Sequence, residues 1–470
     1  YQYWSPKDPQ KTPYDDTGWT LGELFGVRVG RVLDAKVLQV PMDAVTGSVA
    51  APGGVTGSGS VFAVNNNAEP ALTSLRYRFR DATFEAAEEP FEAGGRKFNR
   101  GSFLIRGVSS RDLSSAASEL GIPVHALASN PSVKTHPMKA PRIAILHTWL
   151  STQDEGWWRL ALDNLHVPYT YISTQEAARS ADLSARFDAI LFPPSVGNPN
   201  AIVAGMPMSW GNPLPWKTTE LTPNLGKLDS TDDMRPGLGV SGVANLREFV
   251  RRGGILVGVL DTAERAVNYG LTSGVSISRA DKLKLTGSVV RSRIVDSKSP
   301  ILYGYTEGPA LYSFDGPIFN VSDVAGGRGP RRRPPDEKER PTGRGTAEDV
   351  DRPVGRAWIE PPEEPEAEPW EALPLTDDQK RNNPFVIPAD SRPRVVLRYG
   401  DSKDLLISGL LESGKEIAQH PAVIDVPLEK GHVVLFSNNP VWRGETTGTY
   451  ALVFNAILNF DNLNAGRPAQ

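Results

Sequence analysis

The chain has 470 residues, 39% of them hydrophobic and 23% charged, and a formal net charge of −4 at pH 7. This length exceeds one ordinary hydrophobic core, so two or three domains are expected. The small net charge gives no electrostatic reason to expect binding to nucleic acid or to an anionic membrane, and no apolar run is long enough to span a bilayer. The chain has no cysteine, which excludes disulfides, thiolate metal sites and thiol nucleophiles.

The N-terminal segment predicts a connection rather than a domain. Residue 1 is Tyr, not Met, so we expect the sequence to be a processed or excerpted piece, and any signal peptide would lie upstream. Residues 1–14 carry three prolines and few aliphatic side chains, and they are expected to be a linker from a missing upstream domain. A short helix that buries Trp19, Leu21, Leu24 and Phe25 should follow.

Residues 15–135 are expected to form a small α+β domain. Short apolar or alternating segments predict strands, and "FEAGGRKF" predicts a hairpin around Gly94 and Gly95. The segment "SSRDLSSAASELG" predicts an amphipathic helix that Ser110 caps and Gly121 ends.

Residues 141–324, continued by 394–462, have the pattern of an α/β domain. The strand-like segments "RIAILH", "YTYIS", "DAILFPPS" and "ILVGVLD" alternate with helical segments. This alternation predicts a parallel, doubly wound sheet of the flavodoxin-like type, which the C-terminal strands should complete. At the start of one helix, Thr152 and Glu155 have the spacing of a capping box, and Asp154 lies between them.

Two segments depart from this regular pattern. The stretch 196–239 is rich in Gly, Pro and Asn and contains Trp210 and Trp216, so we expect either a structured cover over the sheet edge or a functional loop. Residues 325–393 are dense in Pro, Arg and Glu and poor in aliphatic side chains. They therefore predict a disordered surface insertion.

Polar residues follow several of the predicted strands, where open α/β sheets bind their ligands. The candidates are His147, Glu155, Ser195, Asp261, Thr262 and Glu264. The segment "GGILVGVLDTAERA" predicts a buried strand, a sharp turn and a helix, and several α/β enzymes place a nucleophile at such a turn. One hypothesis is a hydrolytic system of Thr262 or Ser195 with His147 and Glu155. The alternative is that Asp261 or Thr262 only caps the helix.

The histidines form no metal-binding pattern. None of the six has an acidic residue three positions later, and none belongs to an HExxH motif. The segment "GLGVSG" lacks a lysine and follows no strand, so it matches neither a dinucleotide-binding nor a phosphate-binding loop. No metal or cofactor site is therefore predicted in this chain.

Six segments, taken together and in order, carry a family resemblance. They are "PYDDTGWTLGELFGV", "RIAILHTWLSTQDEGWWRLALDNLHVPY", "AILFPP", "GLGVSGVANLREFVRRGG", "SPILYGY" and "EKGHVVLFSNNPVWRGETTGTYALVFNAIL". They resemble the long C-terminal region of large secreted bacterial zinc carboxypeptidase-like proteins of the carboxypeptidase A family. In those proteins a class I glutamine amidotransferase-like α/β domain follows the peptidase domain. The resemblance covers most of the chain outside 325–393.

The resemblance implies an amidotransferase-like fold without its chemistry. The family's peptidase needs a His-x-x-Glu pair and a later His, which no histidine here supplies, so zinc is expected only in an upstream domain. The amidotransferase nucleophile is a cysteine, and alignment of the turn puts Leu260 or Asp261 in its place. His432 also lacks the acidic residue two positions later that an amidotransferase needs.

These observations predict a non-catalytic accessory region, secreted or periplasmic, that docks, binds a ligand or assembles. The expected partner is the upstream peptidase domain, another protein surface or a second copy of the chain. Two alternatives stay open: the chain is part of an active metallocarboxypeptidase whose zinc domain lies upstream, or it is an extracellular assembly subunit. Exposed aromatic residues in 196–239 and in "WRGETTGTY" are the candidate contact surface.

Overall fold

The computed structural model describes residues 16–47, 49–195, 200–208, 211–325 and 369–467. The predicted linker at 1–14 lies outside these residues. Within the described part, no helix combines the length and apolar character that a membrane crossing requires.

The first part of the chain contains three helices and eight short strands. They are α1 (Leu21–Leu24), β1 (Gly54–Gly57), β2 (Val61–Val64), α2 (Ala71–Arg78), β3 (Thr83–Ala87), β4 (Phe91–Ala93), β5 (Arg96–Phe98), β6 (Phe103–Arg106), α3 (Ser110–Leu120), β7 (Pro123–Leu127) and β8 (Thr135–Pro137).

The second part contains the longer helices and the remaining strands. They are β9 (Ile143–His147), α4 (Gln153–Asn164), β10 (Tyr169–Ser173), α5 (Thr174–Arg179), β11 (Ala189–Phe192), α6 (Ala201–Ala204), α7 (Gly239–Arg251), β12 (Ile255–Val259), α8 (Asp261–Asn268), β13 (Val275–Ser278), β14 (Lys284–Val290), β15 (Ser292–Ile294), β16 (Leu311–Ser313), β17 (Ile318–Val321), α9 (Asp377–Asn382), β18 (Arg394–Tyr399), β19 (Leu406–Glu412), β20 (Pro421–Leu428), β21 (Gly431–Phe436) and α10 (Thr447–Leu458).

The first domain is a mixed sheet with helices, as the sequence predicts for an α+β unit. Its strand order is β1-β7-β2-β6-β3-β8, and α3 packs against β1 and β7. The hairpin between β4 and β5 turns at Gly94 and Gly95, whose φ angles of 56° and 71° suit glycine. Gly121 ends α3 with a φ of 67°, but Ser109, one residue before the predicted Ser110, is its cap.

The second domain is built on an eight-stranded sheet in the order β10-β9-β11-β12-β21-β20-β18-β15. The strands from β10 to β21 are parallel, and in chain order they run 2-1-3-4-5, which is the flavodoxin-like arrangement. The remaining strands are antiparallel and come mostly from the C-terminal part of the chain. Every residue of β9, β11, β12 and β21 is buried, which explains their continuous apolar sequences. The predicted α/β class, with a sheet completed by C-terminal strands, is confirmed.

The two domains share one continuous hydrophobic core. Polar contacts reinforce this contact surface: the Tyr77 hydroxyl donates to the Pro141 carbonyl at 2.6 Å, and Arg76 Nε donates to the Met138 carbonyl at 3.0 Å. Across the same surface, His136 Nε2 lies 2.9 Å from Asn459 Oδ1 at the end of α10. The first domain therefore supports the second rather than standing apart from it.

A small antiparallel sheet, β16-β14-β19, lies beside the main sheet and anchors the first described residues. The Thr17 hydroxyl donates to the Thr286 carbonyl at 2.5 Å and accepts from the Leu410 backbone N–H at 2.9 Å. The carboxylate of Asp16 accepts from Arg443 at 2.7 Å. Residues 16–18 therefore pack on the second domain, although they precede the first along the chain.

The segment after these anchors remains on the surface. Leu24 is buried, but Trp19, Leu21 and Phe25 are 62%, 40% and 39% exposed, so the predicted burial of this short helix holds for Leu24 alone among the four. The following residues form an exposed arm, defined here as 27–47 and 49. Its apolar side chains are between 55% and 83% exposed at Val27, Val29, Val32, Leu33, Leu38, Val40, Met42, Val45 and Val49.

The predicted insertion at 325–393 is ordered in its last third. Residues 326–368 lie outside the described part, whereas 369–393 contain α9 and a buried tryptophan. The Trp370 ring stacks on His420 with a centroid distance of 5.0 Å, and its backbone N–H donates to the Gln419 carbonyl at 3.2 Å. The Ile387 side chain is also buried, and its backbone N–H donates to the Asp323 carbonyl at 2.8 Å. The structure differs from the prediction here because a few buried side chains and backbone hydrogen bonds hold a segment whose average composition is polar.

A buried charge cluster joins the β20–β21 hairpin to the C-terminus. The Asp425 carboxylate is fully buried, contacts His432 Nδ1 at 2.6 Å and accepts from Arg467 at 3.1 Å. Burial alone would raise the pKa of Asp425, but the charges of His432, Arg467 and Arg394 and the His432 hydrogen bond outweigh it, so the pKa is lowered. The ionised carboxylate is thus matched to its cationic neighbours.

We expect Asp425→Asn to lower the free energy of unfolding by about 3 kcal/mol, because buried cationic groups would lose their counter-charge. Denaturant unfolding at pH 7 measures this change, with the exposed Asp281→Asn as the matched control. Equal stability of the two variants would show that the buried cluster contributes nothing.

Candidate functional site

The turn after β12 has the backbone geometry of a nucleophile elbow, with leucine at its tip. Leu260 has φ 51° and ψ −114°, a combination outside the regions that L residues favour. Its N–H donates to the Phe436 carbonyl at 2.8 Å, and its carbonyl accepts from the Glu264 N–H at 2.9 Å. At Gly258 a Cβ atom would lie 3.0 Å from Ala263 Cα, so the tight turn favours glycine there. Leu260, rather than Asp261, therefore occupies the strained position.

The hydroxyl of Thr262 is used within this turn. It lies 2.6 Å from the Phe192 carbonyl and accepts from the Val259 backbone N–H at 2.8 Å, and the residue is 2% exposed. The predicted capping role is not what the structure shows, because Leu260 occupies the N-cap position of α8 without a side-chain hydrogen bond. Thr262 instead joins the end of β11 to the turn.

Asp261 faces Ser195, which follows β11. The Ser195 hydroxyl donates to Asp261 Oδ2 at 2.6 Å, and its backbone N–H donates to Oδ1 at 3.0 Å. Burial raises the pKa of Asp261, and the hydrogen bonds from Ser195 oppose this effect without cancelling it. The two residues that the sequence predicted at neighbouring strand ends are therefore brought together, with the serine as donor to the aspartate.

A cleft of about 730 Å³ opens beyond the turn. The start of α4, Pro194 beyond β11 and the turn itself contribute part of the lining. The end of β13 with the residues that follow it, the residues after β16 and the loop after β21 contribute the rest. The lining residues are Gln153, Asp154, Pro194, Leu260, Asp261, Glu264, Ile277, Ser278, Arg279, Ala280, Leu283, Phe314, Asp315, Gly316, Pro317, Trp442 and Arg443.

Asp154 is the most perturbed acidic group of this cleft. The residue is only 6% exposed, and among the described residues its carboxyl finds no hydrogen-bond partner. Burial, with a smaller effect from the charge of Asp261, raises the pKa of Asp154 to about 7, although Arg443 opposes the shift. A carboxyl that titrates near neutral pH in a cleft is a typical sign of a functional position. The sequence placed Asp154 only in the first turn of a helix.

Glu264 also lines the cleft, but its charge is neutralised. It accepts from Arg265 at 2.7 Å and from Arg279 at 2.8 Å. The two arginines fix the carboxylate, so it is poorly placed to act as a base.

His147 and Glu155 belong to a second cluster at the end of β9. His147 Nε2 lies 2.9 Å from Asp229 Oδ2, and the His147 ring stacks on Tyr171 with a centroid distance of 4.0 Å. The Tyr171 hydroxyl donates to Glu155 at 2.6 Å, and Arg159 donates to the same carboxylate at 2.7 Å. Thr152 makes no side-chain cap hydrogen bond, so the predicted capping box does not form. The structure thus separates these residues from the Asp261 network.

The described part of the stretch predicted as a cover packs on the second domain through Ile202 and Leu238. Its Trp216 is partly buried and contacts the Trp149 ring with a centroid distance of 6.4 Å, whereas Trp210 lies outside the described residues. In the later segment predicted as contact surface, Trp442 and Tyr450 are 6% and 5% exposed, so neither offers an exposed ring. Trp442 stacks on Tyr312, and Tyr450 belongs to the buried helix α10.

In the part of the chain that the structure describes, no group of three or more His, Asp or Glu side chains is placed to hold a metal ion. The site residues therefore offer no metal-binding set for a mechanism to use.

No protein-family model matches this chain, and no curated protein matches it. Among solved structures, it is similar to a cytoplasmic protein of Salmonella typhimurium, with 11% identity over 72% of this chain and 93% of that one and a TM-score of 0.30. A putative GMP synthase component of Thermoplasma acidophilum matches with 8% identity, coverages of 67% and 92% and a TM-score of 0.32. A β-galactosidase of Bacillus circulans matches with 8% identity, coverages of 74% and 33% and a TM-score of 0.28. Similarities at this level assign no function.

The raised pKa of Asp154 predicts a specific dependence of stability on pH. An unfolded aspartate releases its proton near pH 4, whereas folded Asp154 keeps its proton up to about pH 7, so folding becomes less favourable as pH rises through this window. Asp154→Asn removes this loss and should stabilise the chain at pH 8, by an amount on the order of 4 kcal/mol at most, with little effect at pH 4. Denaturant unfolding at both pH values measures it. A variant that is equally or less stable at pH 8 would contradict the assignment.

Proposed function

We propose that this chain is a non-catalytic, amidotransferase-like accessory region of a secreted zinc carboxypeptidase-like protein. The observation that carries the proposal is Leu260 at the tip of the elbow, because an aliphatic side chain there can neither attack a carbonyl nor transfer a proton. The cleft beyond the tip remains open and lined by polar groups, so the retained role is binding.

The other polar groups support a binding role over hydrolysis. A nucleophile needs a base within hydrogen-bond reach. Thr262 is engaged by backbone groups, and Ser195, whose hydroxyl donates to Asp261, does not line the cleft. Among the described residues, His147 contacts Asp229 and Tyr171 and does not line the cleft.

The family resemblance supports the accessory assignment. Four of the six resembling segments correspond to β9 with α4, to β11, to α7 and to β21 with α10, which belong to the scaffold of the second domain. These segments also contribute residues to the cleft, among them Asp154 and Trp442. In this proposal zinc and peptidase chemistry reside in an upstream domain, and the protein is secreted or periplasmic.

The exposed arm supports docking to a partner. Its nine strongly exposed apolar side chains between Val27 and Val49 form a surface that a soluble protein normally covers. The proposal assigns this surface to the upstream peptidase domain, while self-assembly through the same arm is the competing outcome.

We expect the purified chain to show no turnover of C-terminal peptide substrates or of glutamine, with or without a chelator, because the turn presents Leu260 to the cleft in place of a nucleophile. Product formation is measured by mass spectrometry against a buffer blank. The Asp154→Asn/Asp261→Asn double variant serves as a control for contaminating enzymes. Turnover that disappears in this double variant would overturn the non-catalytic assignment.

A second expectation concerns the arm. Amide hydrogen exchange over 27–47 should slow when the chain is produced together with its upstream-encoded region, because a docked partner would exclude water from the arm. The exposed segment around Leu221, which is 94% exposed, serves as the internal control and should not change. Equal exchange of the arm in both proteins would contradict docking, and slowing that depends on protein concentration would indicate self-assembly.

A further inference from the structure

We infer that the cleft beyond Leu260 binds an organic cation, an amine or guanidine carried on an apolar body, through the Asp154 and Asp261 carboxyl groups. The inference rests on the proposed function, because it assumes that the cleft holds a ligand without converting it.

The first argument is the unpartnered carboxyl of Asp154. The residue is only 6% exposed and lines the cleft, yet its carboxyl makes no hydrogen bond to a described residue. A buried polar group without a partner is costly, and the cost is removed when a ligand supplies a hydrogen bond. Asp261 lines the same cleft and is held in place by Ser195, so it offers a second, preoriented acceptor.

The second argument is the excess of acidic over basic side chains in the lining of the cleft. The ionisable residues that line the cleft are Asp154, Asp261, Glu264, Asp315, Arg279 and Arg443. Both arginines already contact carboxylates, Arg279 that of Glu264 and Arg443 that of Asp16. The excess of acidic groups disfavours an anionic ligand and favours a cation.

The third argument is the apolar wall. Phe314 packs edge-on against Trp442 with a centroid distance of 5.4 Å, and the side chains of Ile277, Leu283 and Leu260 continue this surface. Such a wall fits the apolar body of an organic ligand rather than a hydrated ion. The described residues also place no set of three metal ligands here, which separates the inference from a metal site.

Cation binding to this cleft is coupled to a proton. Asp154 is partly protonated at neutral pH, and a bound cation favours its ionised form. The charged groups that act on its carboxyl are Asp261, which opposes ionisation, and Arg443, which favours it. A ligand cation adds to the effect of Arg443, so binding releases a proton and strengthens as pH rises.

The test is calorimetric titration of the chain with 4-phenylbutylamine, with the neutral 4-phenylbutanol and the anionic 4-phenylbutyrate as matched probes. We expect the amine to bind at least tenfold more tightly than either analogue. Because the Asp154 carboxyl must ionise, affinity for the amine should increase about tenfold between pH 6 and pH 8. Asp154→Asn should abolish this pH dependence and lower affinity at pH 8 about tenfold, whereas the exposed Glu220→Gln control should bind like the unmodified chain.

Further measurements distinguish failure of the cation-binding inference from failure of the non-catalytic assignment. Ile277→Phe, which narrows the cleft without changing its charge, should weaken amine binding while the fold stays intact by circular dichroism. Equal binding of the alcohol, or unchanged binding by Asp154→Asn, would overturn the inference and leave the non-catalytic assignment standing. Hydrolysis of an amide derivative of 4-phenylbutylamine by the chain would instead overturn the non-catalytic assignment, even if the amine itself binds as expected.

Discussion

The strained backbone at Leu260 is the constraint on which the cleft depends. A residue with φ 51° and ψ −114° costs about 1–3 kcal/mol, and surrounding contacts must hold it. Here the Phe436 carbonyl holds the Leu260 N–H, and the Thr262 hydroxyl ties the turn to β11. These contacts connect three adjacent parallel strands at their carboxyl ends. The same turn that exposes Leu260 directs Asp261 toward Ser195, so the strain fixes the position of an acidic group rather than of a nucleophile.

The electrostatics of the cleft follow from this placement. Asp261 is stabilised by Ser195, whereas Asp154 lies nearby without a hydrogen-bond donor among the described residues. The pKa of both carboxyls is raised, with burial as the largest cause, and the charge of Asp261 adds to the shift at Asp154. Burial of the Asp154 carboxyl therefore destabilises the folded chain, and a ligand that binds this carboxyl would reduce that cost. Groups that lower the stability of the fold are common at functional positions in clefts.

The sequence predicted much of the scaffold but only half of the site. Buried apolar strands, strand–helix alternation and polar strand ends are local signals, and they correctly indicated the α/β sheet and placed Ser195 and Asp261 at strand ends, but not their contact with each other. The part of the cleft lining with Arg279, Phe314 and Trp442 comes from distant parts of the chain whose pairing no local pattern encodes. The Thr152–Glu155 spacing suggested a capping box, but the Glu155 carboxylate instead accepts hydrogen bonds from Tyr171 and Arg159. Tertiary contacts also ordered Trp370 within a segment whose composition predicts disorder.

His147 takes part in a different set of contacts from the turn after β12. At the end of β9 the histidine packs on Tyr171 and contacts Asp229, so it stabilises the cover over the sheet. At the end of β12 the elbow presents leucine, which adds apolar surface to the cleft instead of reactivity. The ends of β9 and β12 thus belong to separate networks, the first tied to the cover over the sheet and the second to the cleft. A shared parallel sheet therefore brings the strand ends to one edge without joining their polar groups into one set, because the loops that follow each strand supply different partners.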